Sequence, residues 1–102
     1  VTRSEIEVRL LRIAEDDLRE IISYVQAERP SAADAIGSKI EKNIMLLSRN
    51  PWLGMSAKEP HLAEMGYRYL VIDNYLVFYQ IEESAIFIHR IVHGARDYVI
   101  LL

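Results

Sequence analysis

The sequence predicts an α+β fold, in which an N-terminal strand and a two-helix hairpin pack on a three-stranded antiparallel meander that ends in a short tail or helix. Three observations predict it. Between Gly66 and Asp97 lie three runs, Tyr67–Ile72, Tyr75–Ile81 and Ala85–His93, rich in Tyr, Val, Ile and Phe. These residues suit a pleated, half-buried surface. The breaks between the runs are only Asp73-Asn74 and Glu82-Glu83-Ser84, and turns this short force neighbouring strands antiparallel. Finally, two apolar stripes at helical spacing precede the meander, and a meander needs such a cover for its apolar face.

Taken in order, Glu5–Arg12 alternates, with Ile6, Val8 and Leu10 on one side and Glu5, Glu7 and Arg9 on the other. That is the period of a first strand with one buried face. From Ala14 the period changes, and Ala14, Leu18, Ile21, Ile22 and Val25 form a helical stripe. Glu15, Asp16 and Asp17 are placed in its first turn, where the helix dipole favours negative charge. Arg29-Pro30 ends this helix, because a residue before proline avoids the helical region. Ser31 is the expected N-cap of the second helix, with Asp34 as a weak capping-box partner. That helix is expected to run to about Arg49 on the stripe Ala33, Ile36, Ile40, Ile44 and Leu47. Gly37 lies beside the stripe, either to let the two helices approach or as a tolerated solvent-side glycine.

Asn50-Pro51 stops the helix. Trp52–Met65, with Gly54 and Pro60 and no clear period, reads as a loop long enough to suggest a role. Leu62-Ala63-Glu64 is a candidate helical turn within it. Asp73 and Asn74 both tolerate the positive φ of a tight hairpin turn. Ala95–Leu102 reads as a terminal helix or a final strand, and its apolar end, Val99–Leu102, either docks on the domain or awaits a partner. Ile21, Ile22, Val25, Ile36, Ile40, Leu47, Leu70, Val77 and Ile88 are expected in the core, with the second sheet face left relatively open.

A chain of 102 residues is read as one domain spanning 1–102. It is 51% apolar and 26% charged, as in ordinary globular proteins. No apolar run approaches membrane-spanning length. No leader-like segment opens the chain, although Val1 in place of Met leaves room for one upstream. The absence of cysteine excludes a disulfide framework and cysteine–zinc sites and fits a reducing cytoplasm. The formal net charge is −3. From His61 onward three arginines face five acids, Glu64, Asp73, Glu82, Glu83 and Asp97. An acidic sheet half opposes strong binding to nucleic acid, whose affinity comes largely from phosphate neutralisation.

The usual catalytic signatures, a phosphate-cradling glycine loop, a zinc-protease His-Glu pair and a serine nucleophile elbow, are absent. No metal or cofactor is expected. In a regular strand His89 and His93 would lie on the same side but roughly 13 Å apart, too far to share one ion. The polar groups that can converge are Arg68, Arg90, His93, Arg96 and Tyr98. Arg68 opens the first meander strand and His93 closes the last, so both are expected at one sheet edge. There the arginines would stabilise a phosphorane-like transition state, with His or Tyr as acid or base. Against this stands a simpler reading, in which Arg96 pairs with an acid and Tyr98 packs its ring. Tyr67, Tyr69, Tyr75 and Tyr79 likewise read as a base-stacking platform or as a packed aromatic face.

Several motifs recur in a known order. They are Ala14-x-x-Asp17-Leu18-x-x-Ile21-x-x-Tyr24, Pro30-x-x-Ala33, Leu47-x-x-x-Pro51-x-x-Gly54, Tyr67-Arg68-Tyr69-Leu70-Val71, Tyr75-x-Val77-x-Tyr79 and Ile91-Val92-His93-Gly94-Ala95-Arg96-Asp97. Together they resemble the RelE/ParE superfamily of toxins from type II toxin–antitoxin systems, over about Val8 to Leu102. The resemblance implies a small antiparallel sheet with a helical hairpin on one face. It also implies an antitoxin partner that wraps the toxin and holds it inactive. RelE-like members cut ribosome-bound messenger RNA without metal, whereas ParE-like members inhibit DNA gyrase. Ribosome-dependent members place an arginine in the middle meander strand, where this chain has Leu76. Their lysine-rich pattern is missing, with only Arg68 remaining, and their terminal tyrosine would fall near Leu102. The resemblance therefore points to the ParE-like branch, a plasmid stabilisation-type toxin binding gyrase through Arg96, Tyr98, Ile100 and Leu102. Under the RelE-like alternative, Arg68 and Arg96 would bind the scissile phosphate, with His93 or Tyr98 moving protons. An inactive homologue that binds only its antitoxin is the third reading, and homodimerisation through the same surface competes with antitoxin binding.

Overall fold

The computed structural model describes residues 5–94 and Leu102. Its elements are β1 (Glu7–Leu10), α1 (Arg12–Glu28), α2 (Pro30–Leu46), β2 (Met55–Ser56), α3 (Pro60–Glu64), β3 (Arg68–Ile72), β4 (Tyr75–Ile81) and β5 (Ala85–His93). They build one five-stranded sheet in the order β1-β5-β4-β3-β2, in an α+β arrangement. The meander is antiparallel, as its short turns require, and Asp73 alone takes the positive φ at the first turn, at 54°. β1 lies at one edge, parallel to β5, with Glu7 opposite Ala85 and Leu10 opposite Ile88. It is shorter than Glu5–Arg12 because Leu11 already caps α1 and Arg12 begins it.

Both helices cover the same sheet face. Ala14, Ile40, Ile44 and Leu47 bury against Leu70, Ile72, Val77, Tyr79, Ile86, Ile88 and Ile91. Ile40, Ile44 and Leu47 are at most 2% exposed, and each such side chain contributes roughly 1.5–3 kcal/mol by leaving water. Of the expected core, Ile21, Ile22 and Ile36 are only half-buried, because they lie on the flanks of the stripes. Gly37 is buried, and a Cβ there would come within 3.1 Å of the Ile22 side chain. The glycine thus sits at a helix–helix approach, not on the solvent side.

Three local expectations are corrected. Ser31 does not cap α2. Arg29 occupies the N-cap and Pro30 the first helical position, where a missing N–H costs nothing, so no side-chain cap forms. α2 also ends at Leu46, and residues 47–49 form turns. The Trp52–Met65 stretch is not irregular throughout. It supplies β2, paired antiparallel with β3, and α3, which starts at Pro60 with the Glu59 carboxylate accepting from Leu62 N–H at 2.9 Å. This segment folds across the second sheet face. There Ala57 and Leu62 bury against Tyr67, Tyr69, Phe78 and Val92, with Leu76 and Leu102 packed alongside. That face is therefore partly covered where an open one was expected.

Candidate functional site

β5 carries one residue more than its partner. Phe78 of β4 opposes Arg90, but the next residue, Tyr79, opposes Ile88, so His89 bulges out of the pairing. A bulge re-aims the side chains beyond it. Ile88 and Ile91, three residues apart, consequently both enter the helix-side core. His89 faces the other side, its ring edge-on to Tyr67 with centroids 5.0 Å apart and Nδ1 3.3 Å from the Tyr67 hydroxyl. His93 instead stacks edge-on with Tyr75, which packs on the helix-side core. The two histidines are thus on opposite faces, contrary to the regular-strand expectation. Burial lowers the pKa of His89, partly opposed by Glu82, and raises that of Tyr67. The four tyrosines divide likewise: Tyr67 and Tyr69 pack on one face, Tyr75 and Tyr79 on the other.

Arg90, opposite Phe78, reaches α1. Its Nε and Nη2 donate to the Asp17 carboxylate at 2.7 and 2.9 Å, and Ile91 N–H donates to Asp17 Oδ2 at 2.9 Å. Asp17 is 8% exposed. The hydrogen bond to Asp17 holds the Arg90 guanidinium above its ordinary pKa. Sequence reading placed Asp17 in the first turn, as a dipole partner. Because α1 begins at Arg12, Asp17 falls on the buried stripe with Ala14 and Val25. Its place three residues after Ala14 and eight before Val25, on one helical face, was the available signal.

Arg68 opens β3 opposite Tyr79, and cross-strand partners share a sheet face. Together they staple the stretch after α2. The Tyr79 hydroxyl donates to Pro51 C=O at 2.8 Å and accepts from Gly54 N–H at 2.9 Å. Arg68 Nη2 donates to the carbonyls of Gly54 and Trp52, and its guanidinium lies 4.9 Å from the centre of the Trp52 ring. Arg68 Nε is buried with no hydrogen-bond partner among the described residues. Trp52, above the staple, is 66% exposed. Arg68 is level with Tyr79 and Ile88, whereas His93 is level with Tyr75 and Ile72, at the other end of β3. The structure therefore does not bring Arg68 and His93 to one edge. Arg96, Tyr98 and Ile100 lie outside the described residues. Leu102 packs beside the Tyr69–Phe78 cluster.

Leu76 lies opposite Val71 and Val92 and lines a groove of about 300 Å³ with Met55, Lys58, Tyr69, Val71, Phe78 and Gly94. The position is half-buried and its neighbours are mostly apolar. Among the described residues no cluster of three or more His, Cys, Asp or Glu could hold a metal ion. Nor is any described helix long and apolar enough to cross a membrane.

With this geometry in place, residues 8–98 match the family model described as the ParE toxin of the type II toxin–antitoxin system parDE. The chain belongs to the ParE toxin family. A search among curated proteins finds no match. Among solved structures, a chain of the chromosomal ParDE system from P. aeruginosa superposes with a TM-score of 0.74 at 20% identity, covering 87% of this chain and 96% of that one. A chain of the RelBE2 toxin–antitoxin complex from Mycobacterium tuberculosis gives 0.63 at 23% identity, covering 93% and 98%. At these identities the likeness is one of fold. The staple residues Pro51, Gly54, Arg68 and Tyr79 and the Asp17 anchor all lie within the matched span.

Proposed function

We propose that this ParE-family chain is the toxin of a type II pair that inhibits growth by binding DNA gyrase in the cytoplasm, needs no cofactor and is neutralised by an antitoxin encoded beside it. The observation that carries the binding reading is Leu76. The position where the ribosome-dependent nucleases hold an arginine is filled here by an aliphatic side chain packed among Tyr69, Val71 and Phe78. It cannot stabilise a developing phosphate charge, and one such contact is worth about two to three orders of magnitude in rate. Arg68 adds to this, since its Nη2 is committed to the Gly54 and Trp52 carbonyls. The solved neighbours are named as ParDE and RelBE systems, which supports an antitoxin as partner. Gyrase contact is assigned to the C-terminal segment with Arg96, Tyr98, Ile100 and Leu102.

Induction of the lone protein in a host cell tests the proposal, with DNA-damage response and messenger integrity scored together. Damage response with intact messages, plus inhibited supercoiling by purified gyrase, is the expected result. Codon-specific cuts in ribosome-bound messages, abolished by Arg96→Ala, would overturn it in favour of nuclease action by Arg68, His93, Arg96 and Tyr98. Growth without any effect would leave an inactive homologue that binds only its antitoxin.

A further inference from the structure

The hairpin is tight at one level and open at another. At Gly37 the helices touch through Ile22, where even a Cβ would crowd at 3.1 Å. Between the first half of α1 and the second half of α2 they leave a cleft of about 320 Å³. Its walls are Leu10 of β1, Leu18 and Ile22 of α1, and Ile44 and Met45 of α2. Met45 is 56% exposed despite its place in an apolar wall. The cleft is too small for a whole helix but has room for one or two large side chains, as in helix-in-groove recognition through an anchor residue.

The rim carries an excess of negative charge. Glu15, Arg19 and Glu41 line it. Arg19 is bound to Asp16 at 2.6 Å, so that pair is neutral. Glu15 and Glu41 are exposed and make no salt bridge among the described residues. An apolar floor beneath two uncompensated carboxylates selects a hydrophobic side chain flanked by cations and disfavours one flanked by acids.

We infer that this cleft receives a large apolar side chain of the antitoxin, carried on a segment with lysine or arginine beside it. The inference rests on the antitoxin reading given above. It places part of the antitoxin contact on the helical hairpin, away from Leu76 and the C-terminal segment.

The test is binding of the protein encoded beside this chain, measured by titration calorimetry for the wild type, Met45→Ala, the double variant Glu15→Lys/Glu41→Lys, and Glu83→Lys as a charge control in the β4–β5 turn. All four positions are exposed, so melting curves should stay close to wild type and report that each variant folds. Met45→Ala should weaken binding roughly fivefold or more, and the double variant roughly tenfold or more. Wild-type affinity should fall with added salt, and the double variant should lose that dependence. Glu83→Lys should bind as wild type does. If the cleft variants bind as tightly as wild type, the cleft is not the contact, although the antitoxin reading stands. If wild type itself does not bind that protein, the antitoxin reading falls and this inference with it. If wild type is a dimer in gel filtration and the double variant a monomer, the occupant is a second copy of this chain and the inference is overturned.

Discussion

Asp17 is the residue whose loss the fold should feel most. Its carboxylate accepts two hydrogen bonds from Arg90 and one from Ile91 N–H, at 2.7, 2.9 and 2.9 Å. The two side chains are only 13% and 10% exposed, so water compensates little. Asp17→Ala deprives a buried guanidinium of its bidentate partner and orphans a backbone donor beside the β5 bulge. Breaking a buried pair by removing one member costs about 3–5 kcal/mol. For a domain of this size that is roughly a third or more of total stability, or a fall in Tm of roughly 15–30 °C. Replacing both members together with apolar residues, as in Asp17→Leu/Arg90→Met, removes the charges as well as the bonds. It should recover the part of the loss due to the unpaired guanidinium, because a well-packed apolar pair is often no worse than a buried ion pair, while the Ile91 N–H stays without its acceptor. Urea denaturation followed by circular dichroism measures the single variants, the double variant and their coupling. A loss below about 1 kcal/mol for Asp17→Ala, or a double variant as unstable as the single, would refute the reasoning.

Three further outcomes follow from the other contacts. Tyr79→Phe removes a hydroxyl that serves Pro51 and Gly54. It should cost about 1–3 kcal/mol and change the fluorescence of Trp52. Gly54→Ala should cost at least as much, because its Cβ would meet Tyr69 O and the Tyr79 hydroxyl at 2.6 Å. His89 makes stability pH-dependent. Burial lowers its pKa from 6.5, with Glu82 opposing, so the unfolded chain takes up a proton at higher pH than the native one. Stability should therefore be full above pH 6.5 and be lost as pH falls through 6.5 towards the native value. His89→Gln should flatten that part of the profile in melts between pH 5 and pH 8.

The meander was legible because its signal is local. Turn length dictates strand direction, and β4 and β5 have the bounds that Tyr, Val, Ile and Phe mark out. The face of each residue beyond His89 was not legible, because a bulge is a property of pairing. The period of two read from Ala85–His93 cannot reveal that Tyr79 opposes Ile88. That one shift moved His93 to the helix side and put Ile91 in the core. The parallel seat of β1 depends on contacts 78 residues apart in sequence, as between Val8 and Ile86. β2 was missed because two residues have no period. For Arg68 the sequence shows the charge and not the carbonyls its Nη2 donates to.

The residues that carry the family resemblance are largely the residues that hold the scaffold. Asp17 anchors α1 to β5, Gly54 admits the staple, and Arg68 and Tyr79 close it. Each is fixed by a geometric need, such as a buried acceptor, a missing Cβ or a hydroxyl at one height. Such needs are the same whatever the domain binds. Tyr24 is different: it stands 68% exposed on the wall of a cavity shared with Glu20, Tyr75 and His93. Trp52, Leu53, Met55 and Met65 are likewise exposed, outside the packed clusters. The packed core makes no demand on these exposed positions. A common scaffold can therefore serve ParDE and RelBE systems alike, as the two superpositions at 20% and 23% identity illustrate.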